Sequence, residues 1–491
     1  MKITGVGFAV AQDEAPIPWP LRESAVSRRY RPVGAFAELV YRALAECVAR
    51  GPIVIASCNG KVTTWDDDDW RTSFELAEIV DEQAARAAAE RAELIASGKL
   101  RSRPEIERRP AAKVFGRAVA SAQCVSGMHA LYIARSLLAA GHPEVTVLAV
   151  DIASAPAHDN FEALRVLTDE PAPYTDRSTG FQLGEAAVAL RVALEQDRNT
   201  IATDIAGPVL GHDLDGDEAL ERCITALLEN ATARQGKPQP GFVIGQGAGP
   251  VAVDKAELAA VSRHVATDAP IASALATCGH TLGASSLLSV GFAALLGHHF
   301  GLDRETRAIA FKSLDANGVA LDGRPNGLRR AESSSWIVPV HPLVLCRALG
   351  GGCGALVVGA TDATSAPQVA DWGPRSAPVP LRDETLRRIA ADVDAQRPTQ
   401  PPDILVVTLE CPLPPAARIG KRVLPTSVLE MTPGFIPQLV ARAWGYRGPA
   451  LCLVGRDPEP LLAALRKTHE HVYRLAIRGM HERDVEWIPR G

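Results

Sequence analysis

The order of predicted strands and helices occurs twice in the first 360 residues, and this repetition constrains the fold more than any other feature of the sequence. A buried strand, an apolar helix, a second strand, a glycine turn and a third strand follow one another between residues 114 and 191, and a similar order returns between 203 and 359. Buried strands that alternate with helices are typical of layered α/β folds. The repetition therefore indicates an internal duplication of one α/β unit.

The first repeat contains a cysteine at a strand-to-helix junction. Cys124 follows the β-rich run Val114–Val119 and opens an apolar helical pattern that continues to Ala139. Backbone N–H groups and the positive end of the helix dipole at such a junction favour a thiolate, the nucleophilic form of cysteine. We therefore predict a nucleophile at Cys124; for the position taken alone, a buried structural cysteine is the alternative.

Length and composition exclude several classes of protein. A chain of 491 residues predicts two or three domains or one large duplicated domain, and a net charge of −5 gives no basic surface for nucleic acid. Nine scattered cysteines without Cys-x-x-Cys spacing predict reduced thiols, neither a disulfide framework nor a zinc site, and no cofactor or metal is expected. Without a signal peptide or a membrane-spanning run, we expect a cytoplasmic protein without membrane insertion.

Four short motifs then occur in a characteristic order. They are Ala-Gln-Cys124-Val-Ser-Gly-Met-His, Asp176-Arg-Ser-Thr-Gly180-Phe-Gln-Leu-Gly184-Glu185, Cys278-Gly-His280-Thr-Leu-Gly-Ala and Leu349-Gly350-Gly351-Gly352. Together they resemble the motifs of β-ketoacyl synthases in the thiolase superfamily. The resemblance implies a duplicated αβαβα fold, an acyl-cysteine at Cys124, and a catalytic role for His280. It also implies supporting turns at Gly180 and Gly184, a gate at Leu349, and an oxyanion turn that includes Gly350 and Gly351.

Two departures from the family pattern affect the chemistry. The first histidine of the family falls on Gln246, in a frame that the residues Gly247, Gly249, Asp254 and Glu257 support. The family's lysine falls on Leu275, so we expect Glu257 to lack its cationic partner. The remaining groups are a thiol, an imidazole and a primary amide. The amide donates hydrogen bonds but cannot exchange a proton, whereas His280 can do either.

The chain is predicted to divide into four segments. Residues 1–195 form the N-terminal thiolase-like half with the nucleophile, and residues 196–360 form the second half. Residues 361–402 form a linker. Residues 403–491 repeat part of the N-terminal unit, but Arg456-Asp457-Pro458 stands where the cysteine would be. We therefore expect a degenerate partial thiolase-like unit with a packing or partner role.

The resemblance implies a condensing enzyme that takes an acyl group from an acyl carrier protein or coenzyme A onto Cys124 and joins it to a second substrate, as in fatty acid or polyketide biosynthesis. Two alternatives stay open. One is acyl transfer to an amine or alcohol without decarboxylation, and the other is a non-catalytic partner of an active synthase. The strand Val114–Val119 would be a sheet edge unless another subunit covered it, and exposed apolar edges favour association. The resemblance implies a dimer paired through that strand, either a homodimer or a heterodimer with a related ketosynthase.

Overall fold

The structure of the chain is a computed structural model in which most of the sequence is described. The described residues are 1–10, 33–63, 72–169, 171–175, 179–194, 202–212, 218–233, 236–238, 240–265, 269–297, 319–320, 341–348, 351–362, 370–373, 375, 384–395, 397–410, 432–477 and 485–488.

Strands and helices alternate along much of the described chain. The strands are β1 (Lys2–Val10), β2 (Pro52–Ala56), β3 (Lys113–Ala120), β4 (Glu144–Asp151), β5 (Ala186–Ala193), β6 (Thr203–His212), β7 (Ala231–Thr232), β8 (Phe242–Gly245), β9 (Pro270–Ser273), β10 (Val319–Ala320), β11 (Pro342–Arg347), β12 (Gly352–Val358), β13 (Thr361–Asp362), β14 (Ile404–Leu409), β15 (Ala450–Asp457), β16 (Val472–Ile477) and β17 (Val485–Ile488). The helices are α1 (Val33–Cys47), α2 (Ala77–Ala96), α3 (Pro104–Glu107), α4 (Ser126–Ala139), α5 (Ala155–Ala163), α6 (Glu218–Asn230), α7 (Val251–Ser262), α8 (Leu275–Cys278), α9 (Ser285–Gly297), α10 (Glu384–Ala395), α11 (Phe435–Trp444) and α12 (Glu459–Thr468).

The strand order shows the duplication directly. In space, the first repeat runs β1-β5-β4-β2-β3 and the second runs β6-β12-β11-β8-β9, which is the same order. The directions also agree. In each repeat the second strand in sequence pairs parallel with its two neighbours, and the last two strands in sequence pair antiparallel. This confirms the predicted thiolase-like α/β fold.

Two buried helices lie between the halves and form the central layer. Helix α4 packs against β2 and β4 of the first repeat and against β6 of the second, and α9 likewise contacts strands of both repeats. Helices α1 and α2 cover the outer face of the first repeat, and α6 and α7 cover that of the second. No helix within the described part of the chain is long and apolar enough to span a membrane.

The C-terminal segment repeats the order of the first unit a third time. Its strands run β15-β14-β16-β17, as β3-β2-β4-β5 do in the first repeat, and α12 follows β15 as α4 follows β3. This agrees with the predicted partial thiolase-like unit. We refer to residues 403–488 as the third unit.

The third unit joins the sheet at the strand that precedes the nucleophile. Strand β15 pairs antiparallel with β3, with Leu453 opposite Ala120 and Val454 opposite Val119. The expectation that Val114–Val119 would be a sheet edge unless another subunit covered it is therefore wrong, because a strand of the same chain occupies that place. Because β3 is paired within the chain, it gives no reason to expect a second subunit, and the dimer stays a prediction.

The stretch 361–402, expected as a linker, contributes a packed helix. The residues Leu386, Ile389 and Val393 of α10 are buried in the same apolar cluster as α11, and the Trp444 indole donates a hydrogen bond to the Val393 carbonyl at 2.7 Å. Helix α10 thus packs on the third unit as α1 packs on the first. The boundaries near residues 195, 360 and 402 stay predictions.

Candidate active site

Cys124 lies between β3 and α4, where its thiol meets an imidazole. The Sγ atom is 3.0 Å from Nε2 of His280, and both side chains are buried. Burial raises the pKa of Cys124 to about 12, partly offset by a hydrogen bond from Gln246, and burial lowers the pKa of His280 to about 4. Both shifts favour the uncharged forms, a thiol and a neutral imidazole, so loss of hydration opposes the thiolate that the helix start favours.

The glycine turn of the first repeat holds His280 in place. The His280 N–H donates to the Gln182 carbonyl at 2.6 Å, the Gly184 N–H donates to the His280 carbonyl at 3.1 Å, and the Phe181 ring stacks on the imidazole with centroids 4.5 Å apart. A side chain at Gly180 would collide with the Val166 carbonyl, and one at Gly184 with the Cys278 carbonyl. Both predicted supporting glycines thus permit the close approach that positions His280.

The segment before His280 changes from strand to helix within a few residues. The small residues of Ile271–Gly279 predict a strand throughout, but β9 ends at Ser273 and the short helix α8 covers Leu275–Cys278. Small residues fit either conformation, so their pattern does not separate the two. Gly279, at φ +70°, ends the helix and delivers His280 to a bridge with Leu183.

Gln246 follows β8 and reaches the same imidazole. Its Oε1 atom accepts hydrogen bonds from the Cys346 thiol at 2.6 Å and from the Arg347 N–H at 3.1 Å. Because the oxygen is held from that side, the amide nitrogen points to Nε2 of His280, 3.4 Å away. Cys346 is a residue that motif reasoning missed; its only sequence signal is a thiol on the strand that leads into the glycine-rich turn.

His280 has a donor at each ring nitrogen. The Leu282 N–H points at Nδ1 at 3.3 Å, and the Gln246 amide lies 3.4 Å from Nε2. The neutral ring carries one proton and therefore offers one lone pair. Since the two contacts are similarly long, neither tautomer is fixed by them. Nε2 can accept a proton from Cys124 in one tautomer and donate to an oxyanion in the other.

Glu257 and Asp254 stabilise the turn that carries Gln246. Glu257 accepts the N–H groups of Gln246 at 2.8 Å and of Gly247 at 3.2 Å, while Asp254 accepts the Gly249 N–H at 3.0 Å. Burial raises the pKa of Glu257 to about 7. Among the described residues no salt bridge includes Glu257, and Leu275 is buried. The carboxyl group therefore binds backbone amides where the resemblance implied a lysine.

Asp151 connects the two repeats beside the site and was also missed. It accepts hydrogen bonds from the Ser57 hydroxyl at 2.7 Å, the Cys58 N–H at 2.8 Å and the Gly283 N–H at 2.7 Å. Gly283 lies three residues after His280, so the carboxyl group ties the loop after β2 to the histidine turn. A lone aspartate at the end of the apolar strand β4 was its only signal in the sequence.

The predicted gate is only partly described. Leu349 and Gly350 lie outside the described residues. Gly351 adopts φ +90°, and its N–H donates to the Ala348 carbonyl at 3.0 Å. That N–H is therefore engaged within the turn in this conformation, and the oxyanion role expected of Gly351 has no support from its geometry.

The fold that carries this site is similar to folds among solved structures. The chain matches the PfaC ketosynthase–chain length factor with a TM-score of 0.61 and 11% identity, over 90% of this chain and 64% of that one. It matches a β-ketoacyl synthase from Burkholderia phymatum with a TM-score of 0.46 and 17% identity, over 72% of this chain and 98% of that one. No protein-family model and no curated protein matches the sequence.

The first of these matches establishes the fold. The chain has the ketosynthase fold, as the four motifs predicted, and it spans less than two thirds of the PfaC protein's length. Residues 1–360 are less than three quarters of the 491 residues, so a match over 90% must extend into the C-terminal part of the chain. The shared fold therefore includes part of that region.

Proposed function

We propose that this protein is a ketosynthase-like condensing enzyme that works through an acyl-Cys124 intermediate. The observation that carries the proposal is the thiol–imidazole contact of 3.0 Å, with the oriented Gln246 amide 3.4 Å from the same imidazole nitrogen. A nucleophile within hydrogen-bonding distance of a base is the arrangement that covalent catalysis requires. The acyl donor in this proposal is a thioester of an acyl carrier protein or of coenzyme A.

Acyl loading uses Cys124 and His280. The Nε2 lone pair of His280 takes the thiol proton as the sulfur attacks the thioester carbonyl, and a new C–S bond forms. The tetrahedral intermediate then collapses, the carrier's C–S bond breaks, and the imidazolium returns its proton to the leaving thiolate. Because the pKa of His280 is lowered to about 4, the ring is neutral and able to accept this proton at neutral pH.

Condensation uses His280 and Gln246 as hydrogen-bond donors. Loss of CO2 from a malonyl thioester leaves an enolate. Its oxygen is stabilised by the Gln246 amide and, once the ring proton of His280 has moved from Nδ1 to Nε2 by exchange with water, by Nε2–H of His280. The enolate carbon attacks the acyl carbon, a C–C bond forms, and Cys124 leaves as a thiolate. Gln246 cannot move a proton, so we expect decarboxylation to be slower than in a site with two histidines.

The third unit occupies the position beside β3 at which the sequence predicts a second subunit. Strand β15 covers β3, and α12 packs against α4. We propose that this unit does within one chain what a partner subunit was expected to do at that strand. Any further dimer must then use another surface.

Acyl transfer to an amine or alcohol is a second candidate. Gln246 and Leu275 stand where the resemblance placed a histidine and a lysine, and neither side chain ionises. Transfer to an amine needs only the acyl-cysteine and one base, both of which the site contains.

A chase experiment separates the two candidates. The acyl-enzyme is formed with an acyl thioester, freed of excess donor, and mixed with a malonyl thioester or with a panel of amines and alcohols. We expect a β-keto thioester from the malonyl arm, detected by mass spectrometry. An amide or ester product without CO2 release would instead establish the second candidate, and no product from any arm would contradict both.

A further inference from the structure

The residue before the nucleophile has an unusual backbone conformation. Gln123 has φ +54°, in the left-handed region that residues other than glycine rarely adopt. We refer to residues 121–126 as the nucleophile elbow. Within it, the Ser126 hydroxyl donates to the Gln123 carbonyl at 2.6 Å and accepts the Ala122 N–H at 2.8 Å. Such strain persists only where surrounding contacts hold it.

The third unit supplies contacts of this kind from outside the elbow. The Gln123 side-chain amide donates to the Thr432 hydroxyl at 2.7 Å, across more than 300 positions of sequence. Two residues later the backbones touch, since a Cβ atom on Gly434 would lie 2.5 Å from Cα of Ala122 and 2.8 Å from the Ser121 carbonyl oxygen. The Ser121 N–H donates to the Cys452 carbonyl at 3.0 Å.

We infer that the third unit holds the nucleophile elbow in its reactive conformation, with Thr432 as the positioning residue that acts through Gln123. The inference rests on the proposed chemistry at Cys124 and assigns a role to a unit that has Arg456-Asp457-Pro458 where the first repeat has its cysteine. The third unit thus stabilises the nucleophile elbow of the first repeat from within the same chain.

The chemical consequence follows from the position of Gln123. It precedes Cys124 directly, so relaxation of its backbone towards negative φ turns the next residue and moves Sγ away from Nε2 of His280. The thiol then loses the base that is to take its proton. Loss of the Thr432 hydroxyl is therefore expected to slow reactions of Cys124 while the apolar contacts between the units persist.

The test measures the reactivity of Cys124 with iodoacetamide, read at that residue by peptide mapping. Thr432→Val keeps the shape of the side chain and removes the hydroxyl. We expect the alkylation rate to fall about two- to tenfold, which corresponds to the loss of one hydrogen bond. Thr432→Ser keeps a hydroxyl and should restore the rate. In Gly434→Ala the added methyl group must push the backbone at Gly434 away from that of Ala122. We therefore expect a larger decrease in the alkylation rate than in Thr432→Val.

A double-mutant cycle tests the route of the effect. Gln123→Ala should slow alkylation as Thr432→Val does, and the double variant should be no slower than the slower single variant, because both remove one interaction. Additive losses would overturn a role for Thr432 through Gln123. Full wild-type reactivity in Thr432→Val would overturn the inference entirely.

Thr468→Val is the matched control. The Thr468 hydroxyl also bonds across to the first unit, donating to Ser136 at 3.1 Å, but near the far end of α4 from Cys124. It should keep wild-type reactivity, and melting temperatures of all variants report the fold. Equal slowing in Thr468→Val would show a general weakening between units and contradict the inference. Because alkylation needs no acyl donor, a protein that accepts no thioester refutes the proposed function without deciding this test.

Discussion

The first and third units share a strand order but differ at the strand-to-helix junction, which follows β3 in the first unit and includes the last residues of β15 in the third. In the first unit the junction holds Cys124, buried and facing His280 of the second repeat. In the third unit it holds Arg456-Asp457-Pro458, and the Arg456 side chain is 80% exposed, paired with Glu75 at 2.9 Å. One topology thus holds a buried thiol–imidazole pair in one place and an exposed ion pair in the other, and the difference lies in the side chain at the junction and in what faces it.

Helices α4 and α12 show the same contrast from the other side. The Tyr132 hydroxyl of α4 contacts Nε2 of His469, just after α12, at 2.8 Å, and the two helices pack together. The third unit therefore packs α12 against the side of α4. The second repeat places His280 and Gln246 beside Cys124, which precedes α4.

The largest effect is expected at His280, which distinguishes the first junction from the third. In His280→Ala the thiol has no base, and we expect acyl loading of Cys124 to fall about 10²–10⁴-fold. Single-turnover loading with an acyl thioester, followed by quenched mass spectrometry, measures this rate. Loading within twofold of wild type would show that another group accepts the proton.

Gln246 is expected to have the next largest effect, in the second half-reaction only. Gln246→His adds a group that exchanges protons, so release of CO2 from a malonyl thioester should rise, while Gln246→Ala should slow it. Acyl loading should change little in either variant. If wild type already decarboxylates as fast as Gln246→His and Gln246→Ala changes nothing, the proposed role of this amide is wrong.

Cys346 tests the same amide from its other side, because the Cys346 thiol lies 2.6 Å from the amide oxygen of Gln246 and 3.2 Å from the Cys124 carbonyl. Cys346→Ala frees one side of the amide, and we expect decarboxylation to fall by about two- to tenfold. Cys346→Ser offers a shorter donor and should recover part of the rate. Equal loss in the serine and alanine variants would indicate a packing role alone.

The pH dependence of acyl loading tests the state of the imidazole. Burial lowers the pKa of His280 to about 4, so the ring is neutral above that value and becomes protonated, and unable to accept a proton, below it. The loading rate should therefore be level near neutral pH and fall on the acid side with a midpoint near 4. A midpoint near the ordinary histidine value of about 6.5 would show that the ring is hydrated during the reaction.

The smallest effect is expected at the third junction. Arg456→Ala breaks an exposed ion pair with Glu75, and such pairs contribute about 0–1 kcal/mol. Loading of Cys124 should be unchanged, and the free energy of unfolding should fall by no more than that amount. A clear loss of loading would mean that the third junction contributes to the reaction, and the contrast between the two units would fail.

The sequence predicted the parts of the molecule that local patterns specify. Apolar patterns predicted the repeated strand order. Motifs predicted the junction at Cys124 and the approach of His280 and Gln246, because their glycines allow close backbone contacts that a side chain would block. The pairing of β15 with β3 was not predicted, because more than 300 residues separate the partners and an apolar strand does not specify its neighbour. Cys346 and Asp151 were missed for a related reason. Each acts through a contact distant in sequence, and neither stands in a motif.

The central claim is that an acyl group attaches to Cys124, and intact-protein mass spectrometry after incubation with a panel of acyl thioesters tests it most directly. Wild type should gain the mass of one acyl group, mapped to the peptide that contains Cys124. Cys452→Ala, which removes a buried thiol from β15, should gain the same mass, and Cys124→Ala should gain none. An adduct of equal yield in Cys124→Ala, or no adduct in wild type with any thioester, would contradict the account.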